Sequence, residues 1–162
     1  MKKTKKEWQK VKFLVLDFDG VMTDNRISVS EDGKESVFCN RTDSLRMGTL
    51  KNKGVEIIVI STEKNKVVKA RCRKLKIKCL SNISDKYQAF LREVKKRNLK
   101  LNNVCYVGND INDFRCIKNA GIGVVVADSH KSVLGIADYI TEKKGGEGAV
   151  REVIDLILGS EP

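Results

Sequence analysis

Short apolar runs, rich in β-branched residues, recur along the chain at intervals that suit the strands of one sheet. Four of them stand out: KFLVLD (12–17), VEIIVIS (55–61), NVCYVGND (103–110) and GIGVVVAD (121–128). Each run is apolar at consecutive rather than alternate positions, which is typical of strands that are buried on both faces. The pattern therefore predicts a sheet with both faces covered.

Segments with helical periodicity lie between and after these runs. Apolar residues recur at three- and four-residue spacing, with Ser84 as an expected N-cap and Gly54 as an expected C-cap. The segments are DSLRMGTLKNKG (43–54), NKVVKARCRKLK (65–76), SDKYQAFLREVKKRNL (84–99), NDFRCIKNAG (112–121) and GEGAVREVIDLILG (146–159). Strand and helix thus alternate, which predicts one α/β domain over residues 1–162 with a Rossmann-like, doubly wound parallel sheet.

One segment interrupts this alternation between the first strand and the first helix. RISVSEDGKESVFC (about 26–39) carries Asp32-Gly33 between two alternating, β-rich halves. Such a dipeptide between alternating halves is a strong β-hairpin signal. We expect the hairpin to project from the carboxyl edge of the sheet, where ligands bind in such folds.

Polar side chains follow three of the four predicted strands. They are Asp17 and Asp19, then Ser61, and then Asn109 with Asp110. Because the carboxyl ends of parallel strands meet at one edge, these groups are expected to converge, and Lys86 begins a helix that reaches the same place. An Asp-x-Asp pair alone is common in exposed turns, and GNDIND alone is compatible with an Asn/Asp-rich turn, but their joint occurrence favours a functional site.

The converging groups fit phosphoryl transfer with a magnesium ion. Oxygen ligands from Asp17, the main-chain carbonyl near Asp19, and Asn109 or Asp110 suit Mg²⁺. Asp17 is then the candidate nucleophile, which forms an aspartyl-phosphate, and Asp19 the candidate acid and base. Ser61 and Lys86 are expected to hold the phosphoryl oxygens.

Composition and charge narrow the possible partners. The chain is 41% hydrophobic and 33% charged, which is a globular composition, and its formal net charge is +11. This charge favours anionic partners, or it reflects only a lysine-rich solvated surface. A nucleic-acid-binding module rests on charge alone, and with 6% aromatic residues no run of stacking rings supports it. We therefore expect no specific nucleic-acid binding.

The cysteines and the N-terminus favour a cytoplasmic protein. The five cysteines form no CxxC pair, so they are expected to be reduced and mostly to serve as small core residues. The basic N-terminal stretch precedes an apolar run that is too short for a secretory signal, and no segment is long enough to span a membrane.

Four motifs in order, DFDGVMTD, VIST, SDK and GNDIND, resemble those of the haloacid dehalogenase phosphatase superfamily. The hairpin and the tail TEKKGGEGAVREVIDLIL are similar to a subfamily without a cap domain. That subfamily comprises 3-deoxy-octulosonate 8-phosphate phosphatases, nonulosonate 9-phosphate phosphatases and the phosphatase-like domain of CMP-sialic acid synthetases. The resemblance implies the roles given above for Asp17, Asp19, Ser61 and Lys86. It also implies a homotetramer in which the hairpins pack together and Gly145–Gly148 lie near a neighbour's active site.

The resemblance also bears on the substrate, a phosphorylated sugar acid. It places substrate contacts in the loop after the hairpin, at Asn40, Arg41, Thr42, Asp43 and Ser44. Glu63, Arg71 and Lys74 match the nonulosonate 9-phosphatases of sialic acid biosynthesis, whereas the octulosonate 8-phosphatases usually have Arg at the position of Glu63. The nine-carbon acid is therefore the expected substrate, and the eight-carbon acid is the alternative.

One residue departs from the family pattern. The position that usually holds a metal-binding Asp is Asn109 here, as in many synthetase-attached domains. An amide oxygen still ligates Mg²⁺ but carries no charge, so metal affinity is expected to fall. A second hypothesis follows, in which the chain is a catalytically weak oligomerisation module of CMP-sialic acid synthesis.

Overall fold

The computed structural model describes residues 3–159 and contains one parallel sheet with a separate antiparallel hairpin. The sheet order is β5-β4-β1-β6-β7-β8, and every pair of neighbours is parallel. The strands of this sheet are β1 (Phe13–Leu16), β4 (Glu56–Ile60), β5 (Lys78–Leu80), β6 (Val104–Gly108), β7 (Ile122–Val125) and β8 (Tyr139–Ile140).

Helices cover both faces of this sheet. They are α1 (Lys5–Trp8), α2 (Met47–Asn52), α3 (Lys66–Leu75), α4 (Lys86–Lys96), α5 (Phe114–Asn119), α6 (Lys131–Leu134) and α7 (Ala149–Leu158). Short 3₁₀ turns lie at Thr42–Ser44, Leu101–Asn103 and Ile111–Asp113. None of the helices within residues 3–159 is both long and apolar enough to cross a bilayer.

Successive residues of β1 point into two separate cores. Leu14 and Leu16 pack in a cluster with residues of α1, α2, α3 and α7, whereas Phe13 and Val15 pack in a second cluster with residues of α4, α5 and α6. All four side chains are fully buried. Strands of this kind have no solvent-facing side, which is why their sequences are continuously apolar. The predicted α/β fold with a doubly wound parallel sheet is confirmed.

The two edge strands and several helix ends differ from the sequence-based expectation. β5 has three residues and β8 has two, which is too short for an apolar run to stand out. The N-cap of α4 is Asp85 rather than Ser84, because the Asp85 carboxylate accepts the N–H of Gln88. Gly54 follows the C-cap of α2 with a left-handed φ of 77°, as expected of a residue that ends a helix.

The hairpin consists of β2 (Thr23–Val29) and β3 (Glu35–Cys39), so its first strand begins three residues before the predicted range. Its turn is closed by the Ser30 N–H, which donates to the Lys34 carbonyl, and Gly33 has the left-handed φ of 75° that the turn requires. Three large apolar side chains on the hairpin are more than half exposed: Ile27, Val29 and Phe38.

Candidate active site

Asp17 lies directly after β1, at the carboxyl edge of the sheet, and only 4% of its surface is exposed. One carboxylate oxygen accepts the N–H of Phe18 at 2.7 Å, and the other lies 2.7 Å from Lys86 Nζ. Burial raises the pKa of Asp17 well above its usual range, and the nearby charge of Asp113 raises it further. A carboxylate in this position needs positive charge to stay ionised.

Lys86, the first residue of α4, lies between two carboxylates. Its ammonium contacts Asp17 and also Asp113 Oδ1, at 2.9 Å, and the residue is 3% exposed. Burial lowers the pKa of Lys86, but the two carboxylates outweigh burial and hold it above its ordinary value. One ammonium therefore serves two buried carboxylates, which leaves an excess negative charge that a divalent cation would neutralise.

Asp113 is part of this cluster, although the sequence analysis assigned it no role. It is fully buried, and it accepts hydrogen bonds from Lys86, from the Tyr106 hydroxyl at 2.7 Å and from the Asn109 N–H at 3.1 Å. A side chain at Gly108 would overlap Asp113, so the glycine lets the 3₁₀ turn fold back under β6. The sequence feature that could have indicated this residue is the last Asp of GNDIND, four residues after Asn109.

Asp19 is half-buried beside this cluster. Burial raises its pKa, Glu63 raises it further, and the Lys86 charge opposes both. A carboxyl group with a raised pKa keeps its proton to a higher pH, which favours a role as proton donor. The next residue, Gly20, has a left-handed φ of 76° and lies so close to the Asn109 amide that a side chain there would overlap it.

Asn109 and Asp110 have different surroundings. Asn109 is 8% exposed and packs against the turn at Gly20. Asp110 is half exposed, and its Oδ1 accepts the N–H of Ile111 at 2.6 Å at the start of the 3₁₀ turn. Within residues 3–159 no cluster of three His, Cys, Asp or Glu side chains forms a metal site. A site that uses Asp17, a main-chain carbonyl and the Asn109 amide is compatible with that finding, and its oxygen-only donor set fits Mg²⁺.

Ser61 and Glu63 follow β4 at the same edge. Ser61 is 1% exposed, and its Oγ accepts the N–H of Glu63 at 3.0 Å. The Glu63 carboxylate accepts the N–H groups of Lys64 and Asn65 at 2.6 and 2.8 Å. These bonds hold Glu63 in the loop that precedes α3, near enough to Asp19 to raise its pKa.

The loop after the hairpin is linked to α3 and α7. Asn40 Oδ1 accepts the N–H and hydroxyl of Thr42, its carbonyl accepts a hydrogen bond from Arg71 at 3.2 Å, and Ser44 Oγ donates to the Arg41 carbonyl. Asp43 is 2% exposed, and its carboxylate accepts a hydrogen bond from the Arg151 N–H. Arg71 is thus brought to this loop, whereas Lys74 is an exposed residue of α3. The substrate roles of these residues stay predictions.

The fold and the edge cluster together define a class of hydrolase. An Asp-x-Asp pair after the central strand, with its first Asp buried beside a lysine and an aspartate from the following elements, resembles the arrangement of the haloacid dehalogenase-like hydrolases. A model of the haloacid dehalogenase-like hydrolase family matches residues 76–154.

Comparison with known proteins narrows the class. The 3-deoxy-D-manno-octulosonate 8-phosphate phosphatase of Escherichia coli is 36% identical over 151 residues, which cover 93% of this chain and 80% of the relative. The Moraxella catarrhalis phosphatase of the same name, solved with magnesium, phosphate and a KDO molecule, is 30% identical with a TM-score of 0.92, over 97% and 91% of the two chains. The Yersinia pestis phosphatase is 32% identical with a TM-score of 0.91, over 95% and 84%.

The chain belongs to the 3-deoxy-D-manno-octulosonate 8-phosphate phosphatase family of haloacid dehalogenase-like hydrolases. The predicted enzyme class, a phosphoric monoester hydrolase, is therefore confirmed. The predicted cofactor is confirmed at the level of the family, whose phosphatases use Mg²⁺.

Proposed function

We propose that this enzyme hydrolyses 3-deoxy-D-manno-octulosonate 8-phosphate with Mg²⁺, through an aspartyl-phosphate on Asp17. The relatives favour this eight-carbon acid over the nine-carbon acid that the sequence analysis put first. The main support for the proposed phosphoryl transfer is the buried Asp17–Lys86–Asp113 cluster at the carboxyl edge of the sheet.

The proposed reaction has two steps. An Asp17 carboxylate oxygen attacks phosphorus, the bond to the sugar oxygen breaks, and Asp19 gives its proton to that oxygen. Asp19 then takes a proton from water, whose oxygen attacks phosphorus and releases phosphate from Asp17. Lys86 and the Ser61 hydroxyl hold phosphoryl oxygens throughout.

The residues that would hold the magnesium ion are Asp17, the main chain near Asp19, and Asn109. When bound, the ion would supply charge that keeps Asp17 ionised and offsets the charge of the phosphoryl oxygens. Asn109 is a better candidate ligand than Asp110, because the Asp110 carboxylate accepts a hydrogen bond within its own 3₁₀ turn.

Glu63 favours a second candidate substrate, a nonulosonate 9-phosphate. This residue departs from the Arg that is usual in octulosonate phosphatases, and its carboxylate is held by two N–H groups in the loop beside Asp19. A carboxylate there would accept hydrogen bonds from hydroxyl groups of a longer sugar acid.

The experiment is a comparison of kcat/KM for the two acid phosphates, in the wild type and in Glu63→Arg. We expect the eight-carbon substrate to be preferred, and Glu63→Arg to increase that preference. Asp17→Asn is the control, because an amide cannot form the phosphoenzyme, so it should fold normally and lose turnover. A wild-type preference for the nine-carbon acid would overturn the first assignment, and turnover of neither acid would overturn both.

The assembly and location of the protein also belong to this proposal. The exposed apolar side chains of the hairpin support a homotetramer in which the hairpins pack together. The five free cysteines, of which Cys72, Cys105 and Cys116 are buried, are compatible with the proposed cytoplasmic location. The expectation of no specific nucleic-acid binding stays a prediction.

A further inference from the structure

The segment 141–148, between β8 and α7, packs against the turn that follows Asp19 in the same chain. The N–H of Gly146 donates to the Val21 carbonyl at 3.0 Å. A side chain at Gly145 would overlap the Gly20 carbonyl and approach the Thr23 carbonyl at 3.0 Å. Glycine at 145 thus allows the two backbones to touch, next to Asp19.

Buried polar groups hold this segment in place. Glu152 of α7 is 7% exposed, and its carboxylate accepts the N–H of Glu142 at 2.9 Å, the N–H of Lys143 at 3.1 Å and the Tyr139 hydroxyl at 2.8 Å. The Thr141 hydroxyl accepts the Ala127 N–H at 3.2 Å and donates to the Lys143 carbonyl. The segment therefore has little freedom to move away from the turn.

A further anchor lies next to Gly145. The Gly145 N–H donates to Asp128 Oδ1 at 3.0 Å, and Asp128 lies in the loop between β7 and α6. The N–H of His130 in the same loop donates to the Asn109 carbonyl at 2.9 Å. The segment, the 20–24 turn and the loop of Asn109 are thus connected through hydrogen bonds, of which the one from Gly145 ends on the Asp128 side chain.

We propose that the 141–148 segment is a positioning element that fixes the turn after Asp19, and that Glu152 is the positioning residue that holds the segment. The inference rests on the proposed role of Asp19 as acid and base. Gly20 is bonded to Asp19, and its carbonyl is in contact with Gly145, so a displaced segment would shift the Asp19 carboxyl from the leaving oxygen. Misplacement of a catalytic group by about 1 Å costs up to about 100-fold in rate.

Gly145→Ala tests the contact, because the φ of Gly145 lies outside the left-handed range and alanine changes the contact rather than the conformation. Gly135→Ala is the matched control, since a side chain there meets nothing within 4 Å. The substrates are phenyl phosphate and p-nitrophenyl phosphate, which have similar shape, but phenolate is the more basic leaving group and therefore depends more on a proton from Asp19. We expect Gly145→Ala to lower kcat for phenyl phosphate about 10- to 100-fold, with a several-fold smaller loss for p-nitrophenyl phosphate and little change in KM.

Glu152→Gln is the second variant, because it keeps the shape of the anchor but loses its charge. Its kcat should depend on the leaving group in the same way, with a smaller loss than in Gly145→Ala. If Gly145→Ala does not fold, Glu152→Gln alone tests the proposal. Equal losses on both esters, or kinetics of both variants that match those of Gly135→Ala, would overturn the proposal. Turnover of the sugar-acid phosphate by the wild type is measured separately, so its absence would count against the proposed function alone.

Discussion

At the scale of single residues, the site depends on how one ammonium is shared between two carboxylates. Asp113 has three hydrogen-bond donors and no exposure, so its oxygens are committed to positioning Lys86 and the Asn109 main chain. Within residues 3–159, the Asp17 carboxylate has only two donors, the Phe18 N–H and the Lys86 ammonium. Asp17 is therefore the carboxylate that remains available for metal and substrate.

Asp113→Asn should lower kcat/KM about 10- to 100-fold, because the amide attracts Lys86 less strongly and its NH2 group must face a donor, whichever way the amide is turned. Tyr106→Phe is the matched variant, since it removes one donor but keeps the Asp113 charge, and its loss should be much smaller. Steady-state kinetics and thermal melting of both variants test this. A loss for Tyr106→Phe as large as that for Asp113→Asn would contradict the role of the charge.

Asn109→Asp should raise the affinity for Mg²⁺ about 10-fold, because it adds a charged oxygen next to the Asp17 site. Isothermal titration calorimetry and the magnesium dependence of kcat measure the change. A sharp rise in turnover at saturating magnesium would favour the hypothesis of a catalytically weak module. An unchanged affinity would remove Asn109 from the metal site.

At the scale of elements, the N-terminus of α7 is capped by another part of the chain. Its N-cap, Gly148, has a left-handed φ of 109° and no side chain to accept a hydrogen bond. Asp43, in the 3₁₀ turn Thr42–Ser44, supplies the carboxylate, which accepts the Arg151 N–H at 3.2 Å. The predicted substrate loop is thus attached to α7, and a helix N-terminus favours an anion there.

This cap makes stability depend on pH. Burial raises the pKa of Asp43 to about 6, against the opposing hydrogen bonds from Arg151 and Val150. Between about pH 4 and pH 6 the native state keeps a proton that the unfolded chain has lost, so the free energy of unfolding falls as pH rises. The amide side chain in the Asp43→Asn variant does not titrate. The free energy of unfolding of this variant should therefore rise relative to that of the wild type by about 2 to 3 kcal/mol between pH 4 and pH 7.

Urea unfolding at both pH values measures this difference, and Ser44→Ala, a neighbour that does not titrate, is the control. The expected result is a gap between Asp43→Asn and the wild type that widens with pH and is constant above pH 7. A gap that is the same at both pH values would show that Asp43 does not keep its proton in the folded state.

At the scale of the whole molecule, the chemical site and the hairpin share the carboxyl edge of the sheet. The hairpin strands extend from Thr23, directly after the active-site turn, and carry the exposed Ile27, Val29 and Phe38. Asn65, the N-cap of α3, donates to Glu35 of the hairpin at 2.7 Å, which ties the hairpin to the start of α3. An association through the hairpin would therefore bring a second chain near the site.

Phe38→Glu should dissociate the expected tetramer, because it places a charge on the most exposed apolar residue of the hairpin, which is 70% exposed. Leu134→Glu, on α6, is the control and should leave the assembly intact. Analytical ultracentrifugation gives the masses. A wild-type protein that sediments as a monomer would contradict the proposed assembly.

Much of the fold and part of the site could be predicted from the sequence, because strand burial leaves a local apolar pattern and parallel strands place their carboxyl ends at one edge of the sheet. The four apolar runs gave the central strands, and their ends brought Asp17, Ser61 and Asn109 to one edge, with Lys86 from the following helix. The edge strands β5 and β8 were missed because two or three residues carry no periodic signal.

Only the tertiary structure decided which distant groups touch. Asp43 and Arg151 are 108 positions apart, and Asp113 meets Lys86 across 27 positions. Gly145 lies against Gly20 because α7 packs on the sheet, and no local pattern encodes that distance. The sequence by itself determined which chemistry the edge of the sheet offers. Packing decided which buried carboxylate is committed to Lys86 and which backbone supports Asp19, because these contacts exist only once the core has formed.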